Sequence, residues 1–220
     1  MHFEVITIFP NILDSYFNES ILKRAQKKKL ITINFHDPRQ FATDVHKTVD
    51  DRPFGGGPGM LMKIEPLYKT LKKIKRAKKS RVILFDPAGK KFDQAKAQEF
   101  SKLDQLIMIA GRYEGVDARV EKFIDEKISI GPYVLSGGEL PAAIVVEAVS
   151  RLLPGVLGDD QSSVEETFSG DGSYVEYPHY TRPEVFEYME KGKKKKLAVP
   201  KVLLSGNHRE IKEWREEHRK

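Results

Sequence analysis

The sequence predicts an α/β protein with a mostly parallel sheet, and three observations carry that expectation. The chain opens on a β-α-β alternation, short apolar runs recur through its first two thirds, and those runs end in glycine or proline turns. Apolar runs of four to eight residues bounded by turn signals predict buried strands, and residues 82–85, 106–110 and 127–130 fit that description.

In chain order, residues 3–9 read as a strand closed by Pro10. Ile12, Leu13, Tyr16, Phe17, Ile21, Leu22 and Ala25 follow helical spacing and predict one helix; Ile31, Ile33 and Phe35 then alternate with polar residues as a second strand. Residues 36–53 hold few apolar side chains and run into DDRPFGGGPGM, predicted as a hinge or a substrate-contacting loop. No strand is expected to lead into Gly55, Gly57 and Gly59, and Pro58 interrupts a phosphate-cradling turn, which excludes a dinucleotide fingerprint. Ile64, Leu67, Tyr68, Leu71 and Ile74 predict an amphipathic helix with a lysine-rich outer face. The strand at 82–85 should end in a turn, Asp86 to Lys90, before a helix over 92–103.

Residues 106–141 form the stretch around which the chain is organised: strand, glycine-bracketed turn, helix, strand and a second glycine-rich turn. Ligands of open α/β sheets bind beyond the carboxyl ends of the strands, so the loops 111–115 and 131–138, with 86–90 as a third, are predicted to face one ligand. The next segment, AAIVVEAVSRLL, is apolar on nearly every side, which predicts a helix that is buried or lies in a subunit contact. Residues 154–178 read as a linker. A short helix after Pro183, a basic run at 193–196 and a last helix capped by Ser205 or Asn207 make a small appendage with little core of its own.

Composition narrows the chemistry. The 220 residues include no cysteine, which excludes disulfides, thiolate zinc sites and a cysteine nucleophile. No apolar run approaches the roughly 20 residues of a membrane span and the N-terminus lacks a signal-peptide pattern, so a cytoplasmic protein with no membrane partner is expected. The formal net charge is +6, and half of the 38 Lys and Arg residues fall in the segments 23–29, 69–81 and 191–201. That clustering makes nucleic acid the leading partner class.

The strings DDRPFGGGPGML, GRYEGVDARV, SIGPYVLSGGELPA, SRLLPGVLG, PHYTRPEV and VLLSGNHREI together resemble the bacterial tRNA (guanine-N1)-methyltransferases of the TrmD type, in the SPOUT superfamily. The resemblance covers essentially the whole chain. It implies a knotted (deep trefoil) S-adenosylmethionine-binding domain over 1–158, a flexible linker over 159–177 and a small helical tRNA-binding domain over 178–220. It also implies a homodimer with the active site at the subunit interface, and it leaves room for a Mg2+ ion without indicating a metal ligand.

By the same resemblance, S-adenosylmethionine is contacted by Phe85 and Pro87, by Gly111, Tyr113, Glu114 and Gly115, and by Ile130, Gly131, Pro132, Tyr133, Val134, Leu135, Gly137, Gly138 and Pro141. The substrate implied is the guanosine 3′ of a tRNA anticodon, methylated on N1. That nitrogen carries a proton in neutral guanine, so the reaction needs a carboxylate to take the proton and a cation to stabilise charge developing on O6. The motif match carries the base onto Glu166 and the cation onto Arg151. The family usually has aspartate as the base, and Asp160 and Asp171 are the alternatives in this chain. Pro132 stands where an aspartate is common, Phe54 where a tyrosine is, and both the region 168–178 and the lysine run 193–196 are longer than usual. Arg182, Asn207, His208 and Arg209 are the implied tRNA contacts. Two other readings stay open: a knotted methyltransferase acting on another RNA, and a catalytically idle RNA-binding protein.

Overall fold

The computed structural model describes residues 1–158, 167 and 175–219. They fall into two compact units, Met1–Asp160 and Gln161–Lys220.

The first unit is built on five parallel strands, β1 (His2–Ile6), β2 (Thr32–His36), β5 (Ser80–Lys91), β6 (Gln105–Ile109) and β7 (Glu126–Ser129), in the order β2-β1-β6-β5-β7. Alternate residues of the central strands enter two separate cores, which is why β6 and the adjoining parts of β1 and β5 are largely apolar on both faces. Phe3, Val5, Ile83, Leu106 and Met108 pack on one face against α2 (Ser20–Lys27), α4 (Gln94–Phe100) and α5 (Glu139–Arg151). Ile6, Val82, Leu84, Ile107 and Ile109 pack on the other against α3 (Ile64–Lys73). One charged group sits on this second face. Glu4 is buried and held by His36 Nε2 at 2.6 Å, Asn34 at 3.3 Å and Gln105 at 3.4 Å.

Several sequence expectations are corrected here. The predicted first helix is two, α1 (Asp14–Phe17) and α2, interrupted where Asn18 and Glu19 leave helical geometry. The expected turn at 86–90 is an irregularity within the continuous strand β5, whose register against β7 shifts between Phe85 and Lys90. The segment between the central turn and β7 is a 3-10 helix, Ala118–Phe123. A strand does lead into the Gly55 to Gly59 loop: β3 (Asp50–Asp51) and β4 (Leu61–Met62) pair antiparallel and flank it.

The second unit is not all helical. The predicted helix after Pro183 is a strand, β8 (Val185–Glu190), and the lysine run belongs to its antiparallel partner β9 (Lys193–Ala198). Lys191 (φ 49) and Gly192 (φ 75) join them, giving the two-residue turn with both φ positive that matches strand twist. Short helices α6 (Lys201–Leu204) and α7 (His208–Glu217) follow. Asn207 caps α7 as expected, its side chain accepting from the Arg209 N–H.

Candidate active site

Because β6, β5 and β7 are adjacent, the loops after β6 and β7 emerge beside the irregular stretch of β5 that follows Phe85. They are stitched together by backbone. Gly138 N–H donates to Gly111 O at 2.9 Å, and Glu114 N–H and Met62 N–H tie the 111–115 turn to the β4 segment through Met60 O and Gly115 O, each at 3.0 Å. Gly138 is required by close approach: a Cβ there would lie 2.6 Å from the Ala110 Cα, which is buried main chain with nowhere to go.

Between these loops lies a cleft of about 320 Å³. Phe85, Pro87, Gly111, Tyr113, Glu114, Gly115, Ile130, Gly131, Tyr133, Val134, Leu135, Gly137, Gly138 and Pro141 all line it. Of the sequence-predicted cofactor residues only Pro132 does not. The cleft is lined by apolar side chains, by glycine-rich main chain able to present N–H and C=O groups, and by the charged side chains of Asp86, Arg112, Glu114 and Glu121. This lining suits a nucleoside-sized ligand, whose sites start at roughly 300 Å³. The Tyr113 phenol is raised above the ordinary tyrosine value by burial and by the Asp50 carboxylate, so it stays protonated at neutral pH.

Sequence reasoning missed the ion pair beneath the cleft. Glu139, 2% exposed at the start of α5, accepts from Thr7 Oγ1 at 2.7 Å and from Arg112 Nε at 3.1 Å, while its second oxygen is 2.9 Å from the same nitrogen. The pair locks the tip of the 111–115 turn onto the first turn of α5. The signal was available: a carboxylate directly after Gly137 and Gly138, at the mouth of an otherwise apolar helix.

Arg151 is not in this cleft. It ends α5, 12 residues after the first residue of the helix and so about 18 Å from it along the axis. On the same helix Leu140 and Ile144 are exposed and Glu147, Ala148 and Arg151 half-buried, along a second, mostly apolar groove of about 760 Å³. Ile130, Tyr133 and Leu135 line both cavities. The proposed base Glu166 lies outside the described residues, as do its alternatives Asp160 and Asp171. Arg182, Asn207, His208 and Arg209 are exposed in the second unit; the Asn207 side chain is engaged in capping and with Glu210 at 2.8 Å, and Arg209 lies 3.8 Å from Glu213. Among the described residues no cluster of three or more His, Asp or Glu side chains is placed to hold a metal ion, and no helix is long and apolar enough to cross a membrane.

A parallel sheet whose adjacent strand-end loops close on one crevice defines an α/β protein that binds a compact ligand above its strands. Comparison with known proteins makes this particular. The family model described as tRNA (Guanine-1)-methyltransferase TrmD matches residues 1–220, and the chain belongs to that family. It is 49% identical over 215 residues to the tRNA (guanine-N(1)-)-methyltransferase of Dictyoglomus turgidum, covering 98% of this chain and 83% of that protein. It is 50% identical over 217 residues to the enzyme of the same name from Geotalea uraniireducens, covering 98% and 84%. With the Clostridioides difficile relative it shares 46% identity over 221 residues, covering 99% and 91%.

Proposed function

We propose that this protein is a tRNA (guanine-N1)-methyltransferase acting on the guanosine just 3′ of the anticodon, with S-adenosylmethionine as methyl donor. The observation that carries the reading is the convergence of two glycine-rich strand-end loops and the irregular stretch of β5 on one cleft, in a chain that belongs to this family along its whole length. The cleft fits the donor: residues 111–115 and 130–138 would hold its polar edges and Phe85, Pro87 and Pro141 its apolar faces. When bound, S-adenosylmethionine supplies a sulfonium-activated methyl group.

The chain's own work is proton transfer and charge stabilisation. Glu166 takes the N1 proton, and the Arg151 guanidinium stabilises the negative charge that develops on O6. Arg151 lies a helix length from the cleft of its own chain, so it serves the cleft of a second copy. In that homodimer this face of α5 and its groove form the subunit contact. The 111–115 and 130–138 segments, joined by the Gly138–Gly111 backbone bond, are taken to belong to the family's trefoil knot. The division of labour follows: residues 1–158 hold the donor, 159–177 link, and 178–220 hold tRNA, in the cytoplasm, with Mg2+ as an optional aid to the chemistry.

The test is methyl transfer from labelled S-adenosylmethionine to two tRNA transcripts differing only in guanosine or adenosine at position 37. Incorporation into the first alone, recovered as 1-methylguanosine, is expected. Equal labelling of both would place the target elsewhere in the RNA; tight tRNA binding with no labelling would favour an idle binding protein.

A further inference from the structure

The β8–β9 hairpin is the feature that this reading does not use. Its register sorts the side chains onto two faces: Phe186 opposite Leu197, Tyr188 opposite Lys195 and Glu190 opposite Lys193 on one; Glu187 with Lys194 and Lys196 on the other. Each face carries two lysines and one glutamate: Lys194 and Lys196 pair with Glu187 on the second, and Lys195 pairs with Glu190 on the first, where Lys193 stands opposite the same glutamate. What sets the first face apart is its rings. The Phe186 and Tyr188 rings lie nearly parallel, 8° apart in plane with centroids 6.1 Å apart, and Phe186 and Leu197 are 54% and 59% exposed.

Nearly parallel rings on a sheet, here Phe186 exposed and Tyr188 half-buried, with lysines beside them, form an arrangement on which unstacked nucleobases settle while cations hold the phosphates. The strand residues and their turn carry five lysines, Lys191 and Lys193 to Lys196, against two glutamates, Glu187 and Glu190. That excess complements a polyanion and disfavours a second copy of the same hairpin. We infer that the Phe186–Tyr188 face of the hairpin is a base-stacking platform that binds a single-stranded segment of the substrate tRNA. The inference rests on the tRNA-methyltransferase reading and adds a contact surface to it. Lys193 and Lys195 border the rings on this face. Lys195 also pairs with Glu190, an exposed pairing that a phosphate can exchange at little cost.

The experiment measures tRNA affinity of the full-length protein across a range of salt concentrations, beside kcat at saturating tRNA. Phe186→Leu keeps apolar bulk and removes one stacking ring, and should weaken tRNA binding on the order of tenfold. Lys193→Gln with Lys195→Gln leaves the rings and should flatten the plot of log affinity against log salt by about one to two units in slope. Both should leave kcat at saturating tRNA near that of the unsubstituted protein. Unchanged affinity and unchanged salt slope in both variants would overturn the platform while leaving the methyltransferase reading intact. Loss of dimer in sedimentation without loss of tRNA affinity would also overturn it, by assigning the face to protein. Failure of the unsubstituted protein to bind tRNA would defeat both readings together.

Discussion

The two units solve the problem of holding a site in opposite ways. In the first, a sheet buried on both faces fixes two loops through main-chain bonds and one buried ion pair. In the second, no side chain of α6 or α7 is buried, and among the described residues the buried hydrophobic set ends at Val156. Its order rests on turns, caps and exposed contacts such as Trp214 stacked at 4.1 Å on His218. A donor cleft must be preorganised. A surface for a large, pliable RNA can complete its ordering when the RNA arrives.

That contrast can be broken at several points. The largest effect should come from Glu139→Ala. Removing one member of a buried ion pair costs about 3–5 kcal/mol, and because Arg112 retains some solvent contact, a loss of about 2–3 kcal/mol is expected in denaturant unfolding of the first unit, with weakened donor binding. Next, Gly138→Ala should cost about 1–3 kcal/mol through overpacking against Ala110, and calorimetric titration should show donor affinity falling more than stability does. A comparable stability loss with unchanged donor affinity would mean that the cleft does not depend on this close approach.

A smaller effect concerns acid stability. Burial works to raise the Glu4 pKa, but hydrogen bonds from His36, Asn34 and Gln105 together with the His36 charge outweigh it, so the folded value lies below that of an ordinary glutamate. A depressed folded pKa gives stability that is present above the unfolded value and lost as pH falls through the folded one. Glu4→Gln should therefore cost about 1–2 kcal/mol at neutral pH and flatten the decline in stability below pH 4.5, read as melting temperature against pH. The last test shifts no stability at all. Trp214 is the sole tryptophan, so fluorescence reports the second unit alone; its unfolding midpoint in urea should precede that of far-UV circular dichroism, which the first unit dominates. Coincident midpoints would erase the distinction between the units.

Legibility in the sequence followed the same division. Where burial dictates residue type, pattern and structure agree: Leu106 to Ile109 and Val82 to Leu84 are strands because both of their faces are covered. The loops after β6 and β7 could be placed because a strand's direction fixes where its end lies, whereas the expected turn at 86–90 proved to lie within β5. The failures fall where burial is slight. Val185 to Glu190 and Lys193 to Ala198 carry no apolar alternation that a core would impose, and the Lys191-Gly192 turn was the one local signal for a hairpin. The segment after Asp117, expected as a helix, is of the 3-10 type; its apolar positions Val120 and Phe123 stand three apart, a spacing both helix types share. The Glu139 pair escaped because a partner 27 positions away leaves no periodic trace.

One loop belongs to two cavities. Ile130, Tyr133 and Leu135 form part of the wall of the donor cleft and part of the wall of the groove along α5. A wall shared in this way is a thermodynamic balance: by whatever factor filling the cleft changes the affinity of a surface seated in the groove, that surface changes the affinity of the cleft by the same factor. If the groove seats a second copy as proposed, donor binding and subunit association are two readings of one coupling free energy, and a titration of either measures the other.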